Sequence, residues 1–123
     1  MSTVSTSDVL DHHLKAFADY DLDGVLADYA RDAVLFLPTG LLRGPEAIKP
    51  LFRTLISEFR KPGSSFRMQQ RWIDGEHAYI LWTPETADNS YELATDTFVV
   101  WNGKIVAQSF AAKIKPKSQP DGQ

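Results

Sequence analysis

Asp96 is the residue best placed for chemistry. In "TDTFVVWNGKIVAQSF" (95–110) two strands are expected to meet at Asn102-Gly103, because that pair readily takes the left-handed backbone of a two-residue hairpin turn. Strand alternation sets Asp96 on the same side as Phe98 and Val100. A carboxylate on an apolar face is costly unless something compensates it. The cost falls away if that face lines a pocket rather than a closed core. There a desolvated carboxyl holds its proton to a higher pH and can act as an acid or base. A second candidate is His13, which joins Val9, Leu10, Leu14 and Phe17 in an apolar stripe at the three-and-four spacing of a helix. Its neighbour His12 diverges from it by about 100° around a helix, so the two imidazoles make a poor chelate and no metal site is expected. The sequence has no cysteine, which removes disulfides, thiolate catalysis and Cys-ligated metals.

The elements that must position these residues are readable from caps, breakers and periodicity. Ser7 or Asp8 is expected to cap a first helix. Asp21 starts a short second one with Leu22, Val25, Leu26 and Tyr29 on one face. Gly44-Pro45-Glu46 opens a third, with Ile48, Leu51, Phe52, Leu55, Ile56 and Phe59 on its apolar face and Pro50 kinking it or delaying its start. "AVLFLP" (33–38) reads as a strand ended by Pro38, and "TGLLRG" as a turn. After Lys61-Pro62-Gly63 come strands at roughly 64–74, 77–86, 91–102 and 104–114, with Asp74-Gly75 as a further hairpin signal. Helices followed by an antiparallel meander make an α+β plan with the helices on one face of the sheet.

Bulk properties bound the rest. The chain has 123 residues, 43% hydrophobic and 24% charged, which fits one soluble globular domain. A formal charge of −3 offers nothing to nucleic acid or to an anionic membrane surface. "MSTVSTSD" lacks the basic and apolar regions of a signal peptide, and no apolar run approaches the roughly 20 residues of a membrane span, so a cytoplasmic location is expected. Residues 1–7 are expected to be disordered, 8–114 to form the domain, and 115–123 to be a flexible tail.

The order of these stretches carries a resemblance. "DYDLDGVLADYARDAVLFLP", then "GLLRGPEAI", then a meander ending in "TDTFVVWNGKIVAQSF" resembles the SnoaL-like branch of the NTF2-like superfamily across about residues 8–114. The resemblance implies a curved antiparallel sheet forming a cone, with three N-terminal helices packed on its concave side. That superfamily holds ketosteroid isomerases, polyketide cyclases, epoxide hydrolases, dehydratases and non-catalytic binding domains, so the fold does not choose the chemistry. Placed on the isomerase pattern by Asp21-Leu22-Asp23-Gly24, Asp96 falls at the oxyanion-hole aspartate, a carboxylic acid kept neutral by an apolar site. His13 falls where the isomerases carry a tyrosine, Leu37 where they carry their aspartate base, and Phe52 where they carry a supporting tyrosine. With no carboxylate at position 37, steroid isomerisation is disfavoured.

The same placement turns Asp96, Phe98 and Val100 into the cone beside Gln108, Phe110 and Ala112. It implies a hydrogen-bonded pair, His13 with Asp96, as the working acid and base. Phe17, Leu26, Tyr29, Leu35, Leu37, Phe52, Phe98, Gln108 and Phe110 are expected to line a largely apolar ligand site, with Leu10 beside them. Tyr79, Leu81 and Thr83 are expected to face inward and Ile80 and Trp82 outward, unless a one-residue bulge reverses them. Trp101 lies on the opposite, convex face, where family members commonly form homodimers. The expected partner is a small apolar, carbonyl-containing molecule, with no cofactor. The bland alternatives are a buried pair that merely fixes packing, a non-catalytic ligand binder, or a dimeric interaction module with a filled cavity.

Overall fold

The computed structural model describes residues 4–117. In chain order these form α1 (Thr6–Ala18), α2 (Leu22–Ala27), β1 (Tyr29–Leu37), β2 (Gly40–Arg43), α3 (Pro45–Phe59), β3 (Ser65–Asp74), β4 (His77–Glu85), β5 (Asn89–Trp101) and β6 (Lys104–Pro116). The six strands make one curved, unclosed sheet in the order β2-β1-β6-β5-β4-β3. Neighbours are antiparallel except β1 and β6, which run parallel.

The helices start where their caps allow. Ser5, rather than Ser7 or Asp8, caps α1: its hydroxyl accepts the Asp8 N–H at 3.0 Å, and the Asp8 carboxylate accepts the Ser5 N–H at 3.4 Å. The buried Thr6 donates its hydroxyl to the Gly75 carbonyl at 2.8 Å, tying the helix start to the β3–β4 hairpin. Thr6 and Ser7 thus belong to α1 and Ser5 to its cap, while 1–3 lie outside the described residues. Asp21 caps α2 by accepting the Gly24 N–H at 3.0 Å. Gly44, at φ 87°, occupies a backbone region that favours glycine, and a Cβ there would meet the Arg31 carbonyl at 3.3 Å. Helix α3 begins directly after it at Pro45 and runs on through Pro50, so its start is not delayed.

The sheet is larger than the sequence suggested. "TGLLRG" contains β2, which pairs Phe36 with Leu41 and Val34 with Arg43. Strand β6 reaches Pro116 because the long β5 gives Lys115 and Pro116 partners in Ser90 and Asn89. The expected tail at 115–123 is thus strand to Pro116, and 118–123 lie outside the described residues. Two bulges fix which side chains point inward. A register shift between Tyr91 and Leu93 leaves Tyr91 and Ala94, three apart, both buried. A second, opposite Val99 and Val100, does the same for Ile105 and Gln108.

Strand β4 corrects the expected phase. Ala78, Ile80 and Trp82 stand opposite Phe98, Asp96 and Ala94, so they share the inward face, and Tyr79, Leu81 and Thr83 turn outward. Alternation alone does not decide this, because the residues from 78 to 82 are apolar or aromatic on both faces. The helices cover the concave side and bury Leu10, Phe17, Phe52, Ile56 and Phe59 against Leu35, Ile80 and Phe98.

Candidate functional site

A cavity of about 50 Å³ remains between the helices and the sheet. Helix α1 contributes His13, Leu14 and Phe17, and α3 contributes Leu51, Phe52 and Leu55. The sheet contributes Leu35, Ile80, Trp82, Tyr91, Asp96, Phe98, Gln108 and Phe110. Leu35, Ile80, Asp96 and Phe98 are buried, while Leu14, Leu51, Leu55, Trp82 and Phe110 are only half-buried and form the mouth. Nearly all the exposed wall is carbon. Such a space holds a few water molecules, well short of the roughly 300 Å³ that encloses a drug-sized ligand. A larger guest therefore has to displace the half-buried side chains at the mouth.

Asp96 sits on this wall without a cation beside it. Its Oδ1 accepts the indole N–H of Trp82 at 2.9 Å, and its Oδ2 accepts an amide N–H of Gln108 at 2.9 Å. Burial pushes its carboxyl up to about 7, against the pull of those two hydrogen bonds. Each oxygen keeps a free lone pair, and the protonated form has an O–H that neither Trp82 nor Gln108 can accept in this arrangement. Asp96 is thus a polar group of the cavity with capacity left for a guest.

The expected hydrogen bond between His13 and Asp96 is absent. His13 Nδ1 instead lies 3.0 Å from Asp28 Oδ2, and Nε2 lies 3.4 Å from the Tyr29 hydroxyl. Tyr29 donates its hydroxyl to Gln108 Oε1. A continuous chain, Asp28–His13–Tyr29–Gln108–Asp96–Trp82, therefore joins the two residues through two intermediaries. Burial, with negative Asp96 and Asp28 adding to it, holds the Tyr29 phenol well above its ordinary value, so it stays a neutral O–H donor. The His13 ring stands edge-on to Tyr29, Phe52 and Phe98 at 5.2, 6.0 and 5.9 Å between centroids, which fixes its plane. Among the described residues no buried side-chain nitrogen or oxygen lacks a partner.

Of the residues expected at a ligand site, His13, Phe17, Leu35, Phe52, Asp96, Phe98, Gln108 and Phe110 line the cavity. Leu26 and Leu37 instead pack half-buried against the core, Leu10 is fully inside it, and Tyr29 stands behind the wall in contact with Gln108. Two members of the polar chain were missed. Asp28 ends α2, and its carboxylate takes both His12 Nδ1, at 2.8 Å, and His13 Nδ1. No periodicity links a residue at a helix end to a helix 15 positions earlier. Its adjacency to the inward Tyr29 was the available sign. Trp82 was hidden by the ambiguous phase of β4. Among the described residues no cluster of His, Cys, Asp or Glu is arranged to hold a metal ion. No helix among them is long and apolar enough to cross a membrane.

The family model described as a SnoaL-like domain matches residues 10–108. Several solved structures share the fold. An NTF2-like protein of unknown function from Mesorhizobium loti superposes with a TM-score of 0.74 at 22% identity, covering 88% of this chain and 90% of that one. A candidate polyketide cyclase from Sinorhizobium meliloti gives 0.70 at 17% identity, with 84% and 93% covered. TerC, co-crystallised with polyporic acid, gives 0.71 at 15% identity, with 88% and 91% covered. No curated protein matches the chain.

Proposed function

The chain belongs to the SnoaL-like domain family, and from that premise we propose that its cavity takes a small apolar, carbonyl-bearing metabolite whose oxygen is held by Asp96. The observation that carries this reading is a single carboxyl with spare hydrogen-bonding capacity on a wall whose exposed surface is nearly all carbon, where burial pushes its value up to about 7. The protonated acid donates a hydrogen bond to the carbonyl oxygen; the ionised form takes a proton from the carbon beside it, leaving an enolate to which the same carboxyl, now protonated, returns a proton. Both forms are present near neutrality, the condition under which one carboxyl shuttles a proton most effectively. The chemistry supported is therefore general acid–base transfer next to a carbonyl. His13 takes part through Tyr29 and Gln108 rather than by touching Asp96. The protein is proposed to be a homodimer joined through the convex face of the sheet.

A second reading, a non-catalytic domain with a packed interior, is favoured by the small volume of the cavity. Thermal unfolding with polyporic acid and with simpler aromatic and alicyclic ketones separates the two. A ligand at 100 times its dissociation constant stabilises the fold by about 2.7 kcal/mol, a shift of several degrees. Proton exchange next to the carbonyl, followed by NMR in deuterated water, then tests catalysis. Exchange lost in Asp96→Asn with binding retained supports the acid–base role. No thermal shift from any probe leaves the packed domain as the answer.

A further inference from the structure

Tyr29 does not line the cavity, yet the polar side of the site depends on it. An amide has one accepting and one donating end, and the Tyr29 O–H on Gln108 Oε1 leaves the Gln108 N–H directed at Asp96 Oδ2. Turned round, the amide would set its oxygen against Asp96, an arrangement compatible only with the protonated acid. Among the described residues the Gln108 side chain is hydrogen-bonded only to Tyr29 and Asp96, so Tyr29 alone holds the amide in its present sense. Behind Tyr29 stands His13, its ring boxed by aromatic edges and held at Nδ1 by Asp28. The phenol is therefore fixed on both sides.

We propose that Tyr29 is a positioning residue that sets the proton affinity of the pocket by fixing which end of the Gln108 amide meets Asp96. This deepens the reading of Asp96 as the ligand-facing acid and rests on it. The titratable groups around Asp96 are Tyr29 on β1, which feels its charge, and His13 on α1 and Tyr91 on its own strand, which line the same cavity. Helix α3 presents only carbon, β4 presents the Trp82 indole N–H, and β6 presents Gln108. No cation on these elements is hydrogen-bonded to Asp96 in place of the amide.

The test is a carbon-detected NMR titration of the Asp96 carboxyl in the ligand-free protein. Tyr29→Phe keeps the ring and removes the lock, and the Asp96 midpoint is expected to rise by about one pH unit, the size of one hydrogen bond to a charged group. Gln108→Leu should raise it at least as far. In the Gln108→Leu background, adding Tyr29→Phe should then change nothing, because the phenol acts only through the amide. A midpoint unmoved by Tyr29→Phe, or one moved equally with and without Gln108, overturns the proposal. If the NMR coupling appears while no ketone or quinone binds, the positioning role stands and the ligand reading fails; binding without coupling rejects the positioning role alone.

Discussion

At the scale of single residues, Asp96 connects function to stability through its proton. Its folded value, about 7, lies above the ordinary 3.8 because burial disfavours the charge. Below about pH 4 both folded and unfolded chains carry the proton. Between that point and neutrality only the unfolded chain has lost it, so unfolding releases a proton and stability falls as pH rises. The full difference is on the order of 4 kcal/mol, reached once the pH exceeds the folded value. Asp96→Asn cannot titrate, so its stability should decline much less between pH 5 and 8 than that of the natural protein. Urea unfolding at both pH values measures this directly. Equal declines in the two proteins would mean that Asp96 ionises as an exposed carboxylate does, and the acid proposed for the pocket would go with it.

At the scale of elements, the clearest clamp is Glu58 near the end of α3. Its carboxylate accepts the Thr86 hydroxyl at 2.7 Å, the Asn89 side-chain N–H at 2.8 Å and the Tyr91 hydroxyl at 3.0 Å, holding α3 on the β4–β5 connection. Thr86 is fully buried, and Tyr91 lines the cavity. Glu58→Ala leaves both hydroxyls without that acceptor, and a loss of about 2–3 kcal/mol is expected in denaturant unfolding. A loss of only a few tenths would show that the cluster is solvated. The clamp was not legible in the sequence, since its members lie about 30 residues apart and obey no periodicity. Helices and hairpins were legible because caps, Pro-Gly breakers and Asn-Gly turns act within a few residues. Asp96 and Phe98 were placed inward by strand alternation and Gln108 by the family resemblance, whereas β4, apolar on both faces, was given the wrong phase. The His13–Asp96 contact failed for a related reason. Which of two acids an imidazole reaches depends on where α2 ends, and the sequence has no local mark for that.

At the scale of the whole molecule, the convex side of the sheet is left uncovered by the helices. Cross-strand pairing gathers Tyr79, Thr97 and Ser109 in one row and His77, Val99 and Ala107 in the next, a surface without carboxylates, lysines or arginines. Around it stand Trp72, opposite Tyr79 and 62% exposed, Trp101 at 56%, and the paired Phe36 and Leu41. The exposed Trp72, Trp101, Phe36 and Leu41 side chains support the proposed homodimer, since tryptophans buried at the centre of an interface contribute most to its stability. Self-association through two copies of one face would be symmetric, so a single substitution enters the interface twice. Trp101→Glu is therefore expected to convert a dimer to a monomer at micromolar concentration, as read by sedimentation equilibrium. The cavity faces the other way, and its polar chain from Asp28 to Asp96 lies within the domain, so the Asp96 titration of this variant should match that of the parent. A natural protein that already sediments as a monomer would remove the interface, leaving the tryptophans as exposed surface on a domain whose site is complete in one copy.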